Sequence, residues 1–528
     1  MSPATHRAAP RPAEDVHPRY AAYVLGILIL VYVFNFVDRQ ILSILAERIR
    51  ADLGISDAQL GFLYGTAFAV FYALFGIPLG RLADVWDRRR LIALGLAAWS
   101  TMTALSGLAR NFGQLAAARI GVGIGEASAT PAAFSLLSDY FPASRRATVL
   151  ALYSSGIYLG AGLGIVLGGV IVERWDAAWA GTVPPFGLRG WQVAFFAVGL
   201  PGLVLALWVR SLREPTRGHR ENAVVDVAEP RPFRAFAREL GAVLPPFTLV
   251  YLARAGASRA VLGTNLASVA GIAVGATALV LLIGNPSQWI ALGIGLYAAI
   301  SWAQGLALRD APTAAMVLGT PSLRYAALGF ALLAFVGYGL GFWTPPFFVR
   351  VHGVDEREAG MVLGGTAAAA GWLGTALGGV WADRWRLTSA RARFHVGVCT
   401  ALLTPPLALM LFLTESRALA YVMNVPTLIA ASLWIGPGAS TVQDLVLPRM
   451  RGTATAAYLL VVTFVGLALG PYAVGRLSQA TGSLRIGILL ALLADVAAAV
   501  FLLLGARHVE RDENSRLERA RMAGESTR

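Results

Sequence analysis

The chain has 528 residues, 56% of them hydrophobic and 14% charged, against roughly 25% charged in soluble domains, so it reads as a polytopic membrane protein. All 44 basic residues are arginine; without lysine, a phosphate-loop nucleotide motif and a Schiff-base lysine are both excluded, and with them an ATP-driven pump of the phosphate-loop type. The net charge of +14 lies mostly in tails and short segments between apolar stretches, where membrane topology accounts for it better than nucleic acid does.

The polar, proline-rich segment 1–19 has no cleavage pattern and reads as a cytosolic tail. A helix needs about 20 mostly apolar residues to cross a bilayer, and six such stretches follow: Tyr20–Leu45, Asp57–Gly80, Leu91–Leu108, Gln114–Ser138, Ala147–Val172 and Trp191–Val209. They make an N-terminal bundle over 20–209. An arginine-rich linker and a short, proline-broken apolar stretch, read as an interfacial helix, fill 210–261. Two inserted spans come next, Leu262–Gly284 and Trp289–Leu308 within 262–308. A C-terminal bundle over 323–505 holds Leu323–Val349, Glu358–Val380, Phe394–Leu413, Ala418–Val442, Thr453–Gly475 and Leu484–Leu504, and a tail, 506–528, ends the chain. The expected architecture is all-α: two six-helix bundles plus two inserted helices, fourteen spans. An even count puts the arginine-rich segments and both termini on the cytosolic side of a cell inner membrane.

The charged stretch after the second span, Gly80-Arg-Leu-Ala-Asp84-Val-Trp-Asp-Arg88-Arg89-Arg90, is echoed by Gly379-Val-Trp-Ala-Asp383-Arg384. The shared Gly-x-x-x-Asp register argues for two parallel repeats around a cavity. Both copies read as charged loops that gate its cytosolic side, the glycine allowing close helix approach and the arginines anchoring to lipid heads or to the facing half.

Ionisable residues inside spans are costly and functional by default. The first span offers Asp38 and Arg39, the fourth Arg119 and Glu126. Seven residues are two helical turns, so Arg119 and Glu126 share a face roughly 10 Å apart. Asp38, at the depth of Arg119, is expected to pair with it, leaving Glu126 to take a proton or exchange it for an anionic substrate. The glycines at 121, 123 and 125 read as close helix packing, because no strand precedes them. The second half offers Tyr338, Trp343, Asn424 and Trp434, an aromatic wall facing a charged one, which suits an amphiphile with an anionic or zwitterionic head. Asp495 stands alone in the last span. Cys399 is the single cysteine and the six histidines do not cluster, so no metal and no cofactor is expected.

These residues resemble the major facilitator superfamily, whose signature after spans two and eight is similar to Gly80, Asp84 and Arg88 to Arg90 and to Gly379, Asp383 and Arg384; Val85 and Asp87 depart from it. Within it, Phe36-Val-Asp38-Arg39, Ser56-Asp57-Ala-Gln59, Arg119-Ile-Gly-Val-Gly-Ile-Gly-Glu126, Ser138-Asp-Tyr-Phe-Pro142, Phe335-Val-Gly-Tyr338 and Trp343-x-Pro345 resemble the Spinster family of lysolipid and sphingolipid transporters. The resemblance implies a proton-coupled, alternating-access secondary transporter and not an enzyme. It implies that Asp38 and Glu126 couple protons and that Arg39 and Arg119 bind the solute, expected to be lysolipid-like; Tyr338, Trp343, Asn424 and Trp434 of the aromatic wall are expected to bind it as well. The expected partners are that solute, protons and membrane lipids, with the protein a monomer. A carrier of small hydrophilic carboxylates and a non-transporting receptor or scaffold are the alternatives. The family's twelve spans leave the two inserted helices as a departure.

Overall fold

A segment crossing lipid must satisfy each backbone N–H and C=O within itself, and a continuous helix does so. The computed structural model describes residues 17–215, 217 and 231–525, and among them no strand occurs; the N-terminal tail before residue 17 and most of the central linker lie outside the described residues. The first unit comprises α1 (Pro18–Ile44), α2 (Asp57–Val85), α3 (Arg88–Ser106), α4 (Phe112–Tyr140), α5 (Ala143–Ala178) and α6 (Gly190–Arg210). The insertion comprises α7 (Pro232–Val243), α8 (Phe247–Arg254), α9 (Arg259–Ile283) and α10 (Pro286–Arg309). The second unit comprises α11 (Pro321–His352), α12 (Glu356–Arg386), α13 (Ala392–Leu413), α14 (Arg417–Asp444), α15 (Pro448–Thr481) and α16 (Leu484–Asn514). Among the described residues, thirteen helices are long and apolar enough to cross a membrane; α3 takes the fourteenth place, its hydropathy lowered by three arginines at its start.

The two charged motifs are mostly helix and not loop. Gly80 and Asp84 lie inside α2, and Gly379, Asp383 and Arg384 lie inside α12. Only Trp86 and Asp87 turn the chain, and Asp87, accepting from the Arg90 N–H at 3.0 Å, caps α3. A Cβ on Gly80 would stand 4.0 Å from Pro131 and one on Gly379 would touch nothing, so neither glycine serves close approach here. Arg88 is buried within its own unit, paired with Asp139 at 2.5 Å and Glu214 at 2.7 Å. Its counterpart is Arg393, paired with Asp444, and not the exposed Arg384. Both pairs span 51 residues and lie 305 residues apart, the repeat offset beyond the motifs, whose own glycines lie 299 apart.

The ends of the bundle differ. At the basic end, which carries Pro18, Arg88 and Arg210, no ion pair joins the first unit to the second among the described residues. At the far end Arg350 of α11 holds Asp57 at 2.7 Å and Glu47 at 2.6 Å, Ser478 of α15 donates to Asp57 at 2.7 Å, and Arg48 holds Glu356 of α12 at 2.7 Å. Gln40 and Ser43 of α1 donate to the carbonyls of Gly341 and Phe342 at 2.8 and 2.6 Å. Glycines make this seal tight: Gly162 and Gly169 of α5 lie against the backbone of Gly364 and Glu356 of α12. The units are therefore closed on each other at the far end and disconnected in charge at the basic end.

Within the insertion, α10 packs on α2 and α15. The Thr66 hydroxyl of α2 donates to the Ala468 carbonyl and meets the side-chain amide of Gln288, each at 2.7 Å. Outside α10 lies α9, almost wholly exposed and held by Asn265, which donates to Ser301 at 3.0 Å and Gln304 at 2.7 Å. The stretch expected as one interfacial helix, 240–261, holds the end of α7, all of α8 and the start of α9, with the chain folding at Pro245-Pro246 between α7 and α8.

Candidate functional site

Consecutive residues on a helix point about 100° apart, and this separates Asp38 from Arg39. Asp38 turns inward, 1% exposed, toward Trp99 and Thr103 of α3. Arg39 turns to the gap between the units with 16% of its side chain exposed. The ion pair the structure forms is Arg39 Nε to Glu126 Oε2 at 2.7 Å, and not the expected Asp38 to Arg119. Arg119 instead donates through Nη1 to the backbone carbonyl of Asp38 at 3.2 Å and is fully buried.

The site is short of partners. Asp38 Oδ1, Glu126 Oε1, Asn35 Oδ1 and Arg119 Nε and Nη2 are buried without hydrogen bonds. Asp38 lies toward Thr103 and Trp99 and Glu126 toward Asn35, and ionisable groups so deep in apolar helices mark a functional-site candidate. Two carboxylates, Asp38 and Glu126, share this cluster with two guanidiniums, Arg39 and Arg119.

Aromatic rings bound the cluster on the gap side. The Arg39 guanidinium lies 4.8 Å from the Phe36 centroid, 4.3 Å from Phe68 and 4.9 Å from Tyr72. Tyr32 stacks on Tyr153 at 4.4 Å and meets Phe36 edge-on at 5.3 Å. These rings went unremarked in the sequence, although Tyr32/Phe36 and Phe68/Tyr72 each lie one turn apart on a helix that also bears the charges or packs on them. Helix α4 is interrupted at Ala127-Ser128, directly after Glu126, and Gly123 lets α4 close on Phe68 of α2: an added Cβ would sit 2.5 Å from the Phe68 carbonyl oxygen.

The second unit supplies less than its aromatic content suggests. Tyr338 is half-buried, packs against the cores of both units and is close enough to Arg39 to interact electrostatically. Trp343 is instead in the far-end seal, its indole donating to the Pro471 carbonyl at 2.8 Å. Trp434 stacks on Phe330, 6.2 Å away, inside the second unit, and Asn424 donates to Thr366 at 3.0 Å. None of these three is brought to Arg39. Asn424 is the offset-305 equivalent of Arg119, and Ala431 that of Glu126, so the charges belong to one unit only. No group of three or more His, Cys, Asp or Glu suited to a metal occurs among the described residues.

The Major Facilitator Superfamily profile matches residues 28–471. An MFS-type efflux pump of Mycolicibacterium smegmatis is 27% identical over 478 residues, 89% of each chain. The crystal structure of a bacterial homolog to the human lysosomal transporter Spinster, in an inward-facing and occupied conformation, is 27% identical with a TM-score of 0.69, covering 94% of this chain and 99% of that one. A probable galactarate/D-glucarate transporter of Escherichia coli K12 is 30% identical over 218 residues, 40% of this chain and 45% of its own.

Proposed function

Because the chain belongs to the major facilitator superfamily and is a transporter, not an enzyme, we propose that it is a proton-coupled secondary transporter of an amphiphilic, lysolipid-like solute with an anionic or zwitterionic head. The basic end is cytosolic in this reading, by arginine excess, both termini lie there, and the membrane is a bacterial inner membrane. The far-end seal then describes an inward-facing state. The observation that carries the proposal is the buried Arg39–Glu126 pair beneath the rings of Phe36, Phe68 and Tyr72. Protonation of Glu126 releases Arg39 to an anionic head while the rings and Tyr338 take an apolar tail. Asp38, buried on the same helix and bonded through its carbonyl to Arg119, is the second proton-linked carboxylate. Burial and a neighbouring arginine act in opposite senses on a carboxylate, so moving either helix shifts the balance.

A second reading, a carrier of small hydrophilic carboxylates, is favoured by likeness to the sugar-acid transporter and by two arginines within one cluster. Both readings are tested in proteoliposomes under an imposed pH gradient, with a lysolipid panel beside a sugar-acid panel. Glu126→Gln is expected to lower gradient-driven transport at least ten-fold while substrate still quenches tryptophan fluorescence. Equal transport by wild type and variant would overturn the role given to Glu126. Transport of the sugar acids alone would select the second reading.

A further inference from the structure

Helices α7 and α8 run along α10 and back. Glu239 of α7 pairs with Arg309 at the basic end of α10, 3.3 Å away. Thr248, just past the Pro245-Pro246 turn, bonds Tyr297 at 2.6 Å, twelve residues or roughly 18 Å deeper along α10. Tyr251 comes back under Arg309, 5.8 Å from its guanidinium. The two helices form a re-entrant hairpin, and between its arms lies a trough of about 930 Å³. Its walls are apolar, with Leu240, Leu244, Phe247 and Val250, and three guanidiniums, Arg238, Arg254 and Arg309, line it as well.

From this geometry we infer that the hairpin is a binding site for an anionic phospholipid of the leaflet at the basic end, its headgroup on Arg238 and Arg254 and one acyl chain along Leu244, Phe247 and Val250. Charge complementarity selects this occupant. Three cations line the trough against one carboxylate, Glu239, which Arg309 already engages. Arg238 and Arg254 are exposed and have no ion-pair partner among the described residues. A zwitterionic lipid offers no net charge to them, and a free phosphate leaves the apolar wall unused. Basic pockets between helices at the cytoplasmic face recognise acidic lipid heads in this way. Helix α7 also packs on α2, with Phe233 against Trp86 at 5.1 Å, so the bound lipid would lie one helix away from Phe68 and Tyr72.

The test is native mass spectrometry of the full, delipidated chain titrated with phosphatidylglycerol, phosphatidylcholine and glycerol phosphate. Wild type is expected to retain phosphatidylglycerol more tightly than either of the others. Removing each arginine should weaken that binding about five-fold, so Arg238→Gln with Arg254→Gln loses about 25-fold, while Arg238→Lys with Arg254→Lys stays within about three-fold. Arg324→Gln with Arg521→Gln, two other exposed arginines, controls for overall charge and should bind as wild type does. Equal phosphatidylglycerol binding by the Gln pair and wild type would overturn the site. Equal affinity for phosphatidylcholine would overturn the charge selection, and equal affinity for glycerol phosphate would overturn the lipid.

Discussion

Arg39 makes two kinds of contact with one flat group: an Nε–H bond to Glu126 at 2.7 Å and faces against Phe36, Phe68 and Tyr72. Lysine keeps the charge but has neither the fork nor the face. Arg39→Lys is therefore expected to fold with a thermal midpoint near wild type and to lose about ten-fold in gradient-driven transport, since a pair and a stacked cation contribute roughly 1–3 kcal/mol together. Wild-type transport by this variant would mean that Arg39 is only a counter-ion. The four charged residues stood out in the sequence because charges are rare in apolar helices. Their pairing did not, because distance from a helix end gives height in the membrane and says nothing about direction around the axis. Asp38 and Arg119 are level, yet it is Arg39 that turns toward Glu126. Aromatic residues carried less information still: Trp343 and Trp434 have the same apolar flanks as Tyr338 and are packing residues.

The contact of α5 with α12 is made by small residues facing each other. An ideal Cβ on Gly162 would stand 2.9 Å from the Ala368 Cβ and closer still to the Gly364 carbonyl, and backbone cannot yield as a side chain can. Gly162→Val is expected to hold these helices apart at the far end and to lower transport at least ten-fold, whereas Gly26→Ala, with nothing within 4 Å, should match wild type; uptake assays on the two variants check this. Which glycines of α5 meet α1 and which meet α12 depends on a neighbour about 200 residues away, which no local pattern supplies. Helix ends were the other loss at this level. Helices α2 and α12 continue past their apolar stretches through the charged motifs, since a helix stops when its caps and partners stop it and not where lipid does.

At the scale of the molecule, the six-two-six division was legible because arginine placement and apolar length count spans independently of packing. The re-entrant hairpin was not, since a 20-residue stretch with two prolines fits a surface helix equally well. Nor was the ion-paired seal at the far end, which depends on pairs such as Arg350 with Glu47 and Asp57, about 300 residues apart. Removing one partner of such a half-buried pair leaves two carboxylates facing each other. In a Cys399→Ala background, Ser43→Cys, buried beneath the seal, should resist a membrane-impermeant thiol reagent added from the far side. Adding Arg350→Gln should raise its labelling rate several-fold, and an unchanged rate would remove Arg350 from the seal. At the basic end, Asp310 is held by Arg449 at 2.7 Å, which pulls its carboxyl down to about 2. Its folded value is below the unfolded one of about 3.9, so the stabilisation is complete above that and fades only as pH falls through about 2. Transport that changes between pH 5 and 8 does not take that change from this clamp.

The low hydropathy of α3 also sets an order of events during synthesis. Its first residue, Arg88, is buried only because Asp139 and Glu214 neutralise it, and an uncompensated buried charge costs about 3–5 kcal/mol. When α3 leaves the ribosome, neither acid has been made. Arg88 therefore stays at the membrane surface, in contact with water, until α4 and then the segment after α6 emerge to enclose it. The first unit thus matures only when residue 214 is out, and a nascent chain stopped between α3 and α6 is the form most exposed to quality control.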